Sequence, residues 1–412
     1  MPDQNRDISV VVVGGSYAGQ TTARQLANLR KKGYSGLKVT LIDQNTHYYH
    51  AVGFPKALVD EDFADKVFLP FAKFFGPTSK HQFVHGRLSS IIDGNTIELE
   101  SGQRIHYDYL LLATGGQSAA PIHLNGTTKE EGLEEIAQLR QALTTADSIL
   151  VVGGGAVGVE ISGFVGAQYP DKKVTLVHSG ERLLPTNFRE GVGNGAASKL
   201  KQLGVDVVLN ERVEMPKDSP HAAMVGTQTL KGSSGAEYTA DVVIKAIGLK
   251  VKSEFMAPLE ALEGTSLRAT SGPKFIRVKP TLQLDSKLFP NIFIPGDAND
   301  LPMTAKYAYK AEMQGGTAAG NVRRLIESGF DQDLANARST SSSAAAEVPV
   351  PELSKWNDMI DAIMVPIGPD LGVVQMMKVA LGCSFIPNYL VRLMKSRDFM
   401  IWMRKGYFKN AD

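Results

Sequence analysis

Two glycine clusters have the spacing that lets a backbone wrap closely around a diphosphate. Gly153, Gly155 and Gly158 fill a G-x-G-x-x-G template. The first glycine permits a tight turn after a strand, the second admits the diphosphate, and the third lets helix and strand pack closely. Free N–H groups at the helix N-terminus then hold the phosphate oxygens. Gly14 and Gly19 hold the outer positions of another copy, with Gly15 beside the first and Ser16 in the middle. Serine is small, and its hydroxyl can itself bond a phosphate. Asp43 closes the strand after this copy, where a carboxylate can accept both hydroxyls of a ribose. Gly14-Gly15-Ser16-Tyr17-Ala18 also has the outline of a hydrolase nucleophile elbow. Asp43 and the second glycine cluster outweigh that reading.

The second copy lacks the acid. Its following strand ends Val177-His178-Ser179, with Arg182 shortly after. Nothing there repels a ribose 2′-phosphate. His178 or Arg182 favours one, or His178 is a surface residue beside a permissive site, and selectivity stays open.

Each cluster needs a strand before it and a helix after it, and the sequence supplies both. Ile8 to Val13 is a β-branched run, followed by a helical pattern from Gln20 to Leu29 and a strand from Leu37 to Ile42. The same grammar returns as the strand Ile149 to Val152, the helix Gly158 to Tyr169 and the strand Lys173 to Val177. Leu88 to Leu99 and Arg104 to Ala113 alternate like antiparallel strands. Val242 to Gly248 and Asn291 to Asp297 read as strands ending in turns, and Ala305 to Glu327 as a helix of many small residues. The predicted class is α/β, with two Rossmann-type dinucleotide-binding domains.

Composition narrows the partners. A chain of 412 residues exceeds one compact core. A formal net charge of +1 gives no field for gathering nucleic acid, so none is expected. One cysteine, Cys383, excludes any CxxC relay and fits a reducing, intracellular compartment; it reads as a buried structural thiol. The N-terminus predicts neither a secretory signal nor a myristoylation glycine, and no metal-ligand cluster is expected.

Leu112-Ala113-Thr114-Gly115, Pro295-Gly296-Asp297 and the order of the two glycine units resemble the pyridine nucleotide–disulfide oxidoreductase superfamily. Within it, the stretch Tyr169 to Ser179 and the stretch Leu390 to Asp398 are similar to the apoptosis-inducing-factor-like, mitochondrion-associated group that includes ferroptosis suppressor protein. That group resembles type II NADH dehydrogenases, which reduce quinones through FAD. The resemblance implies FAD in the first unit and NADH or NADPH in the second, in a glutathione-reductase-like architecture. It implies FAD contacts at Gly14, Gly15, Ser16, Ala18, Gly19, Asp43, Val84, Thr114 and Gly115, a basic group near the flavin and diphosphate at Lys56, and a ribityl-binding acid at Asp297. Gly153, Gly155, Gly158 and His178 then line the nicotinamide dinucleotide, and Glu160 and Lys306 lie close to the isoalloxazine. Ser16 departs from the family's glycine, and the missing myristoylation glycine puts lipid anchoring in doubt.

Physical chemistry supports the same two candidates. Lys306, at the start of the 305–327 helix, joins a positive helix end that would stabilise anionic reduced flavin. The alternatives are an exposed lysine for Lys306 and a dipole-satisfying glutamate for Glu160. The expected plan is an FAD domain over 1–116 and 250–332, a NAD(P)H domain over 117–249, a linker over 333–351 and a small docking unit over 352–412. Electrons are expected to leave the flavin for a quinone-type acceptor; a small iron–sulfur protein as acceptor, or a slow redox sensor, is the alternative. Leu371 to Val391 is apolar but interrupted by Lys378 and Pro387, so it reads as lying on a membrane surface rather than crossing it. Arg392, Lys395, Arg397, Arg404, Lys405 and Lys409 among Leu393, Phe399, Trp402, Tyr407 and Phe408 suit an anionic interface. The expected location is the cytoplasmic face of a membrane, such as the mitochondrial outer surface or a lipid droplet. Packing of the tail onto the FAD domain or onto a second copy in a homodimer is the alternative.

Overall fold

The computed structural model describes all residues except 1–4, 118–120, 217–222, 303, 305, 341–347, 359–360, 377–378, 382–387, 390 and 409–412. Two five-stranded sheets organise the chain. The first runs Ile292–Phe293, Tyr109–Leu112, Ile8–Val13, Leu37–Asp43 and Gln82–His85, all parallel. Val10, Val11 and Val12 are fully buried, as a central parallel strand covered on both faces requires. The second sheet runs Val205–Val208, Lys173–Val177, Ser148–Val152, Glu237–Lys245 and Ala223–Lys231; only the last pairing is antiparallel.

Several boundaries differ from the sequence reading, each for a physical reason. Arg104 to Ala113 is not one antiparallel strand. Arg104–His106 closes a small antiparallel sheet with Thr96–Leu99, whereas Tyr109–Leu112 joins the parallel sheet. Tyr109 to Leu112 are buried on both faces, so alternation was a poor guide there. The first helix begins early, at Tyr17, and ends at Ala27. The small-residue helix spans Ala308–Ser328 and stops at Gly329, whose φ of 79° supplies the left-handed cap. The region expected as a linker begins as the helix Phe330–Thr340.

The small residues of the Ala308–Ser328 helix serve close packing. A methyl on Gly315 would lie 2.4 Å from the Ala18 carbonyl oxygen, and Thr22 Oγ1 donates to the Gly315 carbonyl at 3.1 Å. This contact brings helix Ala308–Ser328 against helix Tyr17–Ala27, which carries the first glycine cluster.

The C-terminal region lacks a core of its own. Ile363–Ile367, Leu371–Met376 and Val379–Leu381 form an antiparallel sheet whose buried side chains share one core with the second unit. A methyl on Gly163 would meet Ile367 Cα at 2.8 Å, which shows how closely helix Ala156–Gln168 lies on this sheet. The apolar stretch from Leu371 thus begins as the strands Leu371–Met376 and Val379–Leu381, and among the described residues no helix is long and apolar enough to cross a membrane. Cys383, Lys378, Pro387 and Lys409 lie outside the described residues.

Helix–strand contact at the first glycine cluster tolerates no side chain. A methyl on Gly19 would lie 1.7 Å from the Gly14 carbonyl oxygen, whereas one on Gly155 meets nothing within 4 Å. Gly19→Ala is expected to destabilise the fold by at least about 1–3 kcal/mol, the cost of overpacking. Gly155→Ala is expected to stay within about 0.5 kcal/mol of wild type. Urea unfolding of the two variants checks this; equal stabilities would contradict it.

Candidate functional site

The first site lies along the carboxyl ends of the first sheet. Gly14 adopts φ +99°, and a methyl there would lie 2.2 Å from the Ala113 carbonyl oxygen. Gly15 is pressed between the Phe71 ring and Asp43. Asp43 Oδ2 accepts the Gly15 N–H at 2.6 Å and Oδ1 accepts the Asn45 N–H at 2.8 Å. Burial raises its pKa, and the two N–H groups pull it back. Ser16 is exposed at the cap of helix Tyr17–Ala27 and spends no side-chain bond on capping. Its hydroxyl and the first helical N–H groups therefore face open space. Ala18 is buried against Gly296 and Gly315, and Val84 pairs with Ile42. These two shape the site rather than present polar groups.

Thr114 Oγ1 and Asp297 Oδ1, at this edge, are buried with no partner among the described residues. Buried polar atoms of folded proteins are almost always paired, so such atoms call for a ligand. A polyhydroxyl chain and diphosphate would supply the missing bonds, and Gly115, at φ +66° with nothing near its missing Cβ, leaves room for them. The residues present fit FAD.

Lys306 stands just before helix Ala308–Ser328 rather than in its first turn. Its Nζ donates to the Asn299 carbonyl at 2.5 Å and to Asn299 Oδ1 at 2.8 Å, and it lies 4.8 Å from the centroid of the Phe275 ring. Burial pushes its pKa down to about 8, opposed by Asp297 and Asp300. It is not an exposed helix lysine. The helix beyond it has no acidic residue in its first turn, so its positive end is uncompensated.

Glu160 is buried in helix Ala156–Gln168, and Lys395 Nζ donates to its Oε1 at 2.7 Å and to the Met364 carbonyl at 2.9 Å. Burial raises the Glu160 pKa, and Lys395 opposes the rise. The sequence reading missed this pair because Lys395 sits in a basic, aromatic stretch assigned to a membrane surface. Arg404 is likewise turned inward. It is buried, pairs with Glu312, and stands 4.7 Å over the Tyr17 ring. Phe399 is buried, Tyr407 donates to Glu312 at 2.9 Å, and Phe408 packs between Tyr48 and Phe74. Lys56 donates to the Arg397 carbonyl at 2.6 Å, so the structure places it against the C-terminal segment rather than the glycine loop.

The second site repeats the first. Gly153 takes φ +117° beside the Ala246 carbonyl, and a methyl on Gly158 would lie 1.8 Å from the Gly153 oxygen. Gly155 caps helix Ala156–Gln168 with open space in front of it. His178 is not a free surface side chain: its Nδ1 accepts the Gly154 N–H at 3.2 Å.

Two glycine-looped, parallel-sheet units with this donor pattern define a two-dinucleotide oxidoreductase. Residues 8–315 match the model of the pyridine nucleotide-disulphide oxidoreductase family, and the chain belongs to that family. It uses FAD and NAD(P)H. Apoptosis-inducing factor homolog B of Dictyostelium discoideum is 29% identical over 343 residues, covering 79% of this chain and 83% of its own. Ferroptosis suppressor protein 1 of Homo sapiens is 29% identical over 325 residues, covering 78% of this chain and 81% of its own. The solved sulfide:quinone oxidoreductase from Aquifex aeolicus shares the fold, with a TM-score of 0.71 over 98% of this chain and 92% of that one at 18% identity.

Asp297→Ala is expected to weaken FAD binding by about 1.5–3 kcal/mol, or roughly ten- to hundredfold. Flavin fluorescence titration measures this, and unchanged affinity would remove Asp297 from the site. Lys395→Met leaves a buried carboxylate unpaired, and is expected to cost about 3–5 kcal/mol. Adding Glu160→Gln should recover most of that loss. A double-mutant cycle with no coupling would show the pair to be incidental.

Proposed function

We propose that the protein is an NAD(P)H:quinone oxidoreductase that works from a membrane surface. The carrying observation is that a single cysteine, Cys383, leaves no dithiol to relay electrons, so a small acceptor must approach the flavin directly. Bound FAD supplies the redox chemistry, accepting a hydride from the nicotinamide and passing electrons on. The chain's own part is to bind, orient and compensate charge. Asp297 and Thr114 offer unpaired polar atoms to the cofactor. Lys306, with its pKa near 8, can hold or release a proton at Nζ close to neutral pH. Glu160 and Lys395 form a buried ion pair, joining the second unit to the C-terminal segment.

The surface of that segment favours a bilayer partner. Trp402 is 62% exposed and Tyr389 56%, with Arg392 and Arg397 also exposed on the same segment. Aromatic rings and basic groups together suit the headgroup region of an anionic leaflet. A quinone with a long apolar tail resides in such a bilayer.

Turnover with a short-chain quinone is expected to exceed turnover with a ferredoxin by at least about tenfold, the reverse ratio indicating an iron–sulfur partner. In vesicle flotation the full chain should bind anionic vesicles and Trp402→Ser should bind them less. Negligible binding by both proteins would count against the membrane surface, and resistance of the wild type to carbonate extraction would count against peripheral attachment.

A further inference from the structure

The residue after the second strand occupies the same place in both units. Gly14 N–H donates to the Ile42 carbonyl and Gly153 N–H to the Val177 carbonyl, each at 2.8 Å. Asp43 and His178, one residue on, are therefore equivalent, and each accepts an N–H from the glycine loop, at 2.6 Å and 3.2 Å respectively. Their chemistry differs. A carboxylate oxygen keeps a lone pair after one such bond, whereas an imidazole nitrogen has only one to give. With Nδ1 committed to Gly154, the ring's proton belongs on Nε2. The loop holds the ring there, since a methyl on Gly154 would lie 2.7 Å from its Cγ. His178 thus presents neither a negative charge nor a free Nδ1 acceptor to a ribose.

Arg182 follows in a loop tied to the glycine turn by the Leu184 N–H, which donates to the Gly154 carbonyl at 2.8 Å. Its Nη2 donates to the Thr186 carbonyl at 2.6 Å, its Nε is buried without a partner, and no ion pair joins it to a carboxylate among the described residues. The nearby acid Glu211 does not fill the gap. Its carboxylate is taken up by the Ser233 hydroxyl at 2.9 Å and the Ser234 N–H at 3.0 Å. The second site therefore carries no carboxylate at the position where the first has Asp43, and a cation follows four residues on.

We propose that His178 and Arg182 together set coenzyme selectivity: Arg182 meets the 2′-phosphate of NADPH, and His178 is the positioning residue that keeps a carboxylate out of its way. NADPH is then accepted at least as well as NADH. This rests on the second glycine unit holding the nicotinamide dinucleotide and is independent of the acceptor's identity.

Calorimetry on the FAD-loaded protein with adenosine 2′,5′-bisphosphate and adenosine 5′-monophosphate isolates the 2′-phosphate. Wild type is expected to bind the bisphosphate at least about tenfold more tightly. The preference should shrink as salt is raised, because the contact is ionic. Arg182→Met should bring the two affinities within about threefold, and His178→Glu should reverse their order. The matching NADPH-to-NADH ratios of kcat/KM should move the same way. A wild type that prefers the monophosphate would overturn the proposal, as would an Arg182→Met protein that loses both nucleotides equally. Failure of the wild type to bind either nucleotide would overturn the assignment of the second unit itself.

Discussion

Gly315 meets the carbonyl of Ala18 so closely that no side chain fits between them. The rest of the first site depends on this contact. Helix Tyr17–Ala27 carries the first glycine cluster, while helix Ala308–Ser328 carries Lys306 just ahead of its start and follows Asp297. Nothing in the local sequence brings these two segments together. Their small residues do, by letting the backbones approach to a distance that larger side chains forbid. Once they meet, a buried carboxylate, a lysine with a depressed pKa and an open helix N-terminus converge on one sheet edge.

Features that follow from backbone geometry were legible in the sequence. Glycines that must avoid a carbonyl, β-branched strands buried on both faces and an acid closing a strand are all dictated by short-range sterics, and they appear where their types and spacing placed them. Side-chain partners drawn from distant parts of the chain were not legible. A stretch alternating basic and aromatic residues is compatible with a lipid headgroup layer and with an acidic, aromatic protein surface alike. Arg404, Phe399 and Lys395 took the second course because Glu312, Phe164 and Glu160 were available to receive them. Trp402 and Arg397 stay exposed. Lys56 shows the same limit: the family resemblance implied a place near the flavin, and its partner in the structure is a carbonyl far along the chain.

The two units are built alike, yet the residue after the second strand sets a carboxylate in one against a neutral imidazole in the other. An aspartate and a histidine make the same loop bond, so the backbone does not register the exchange. The difference is felt only by a ligand. One fold can thus hold two dinucleotides side by side without either site being remodelled.

The segment from Val391 to Phe408 reaches both units. It presents Lys395 to Glu160 in the second, and Arg404 and Tyr407 to Glu312 in the first, while its Gly406 carbonyl accepts from Arg24 at 3.1 Å. In a growing polypeptide the two glycine units emerge from the ribosome well before this segment. Until it arrives, Glu160 is a buried acid without its cation, and Tyr48 and Phe74 lack the ring that covers them. Maturation is therefore ordered in time: the nascent protein can form its sheets early, but the clasp across them closes last. A polypeptide truncated before this segment would lack the Phe408 ring over Tyr48 and Phe74, leaving the kind of apolar surface that quality-control machinery recognises.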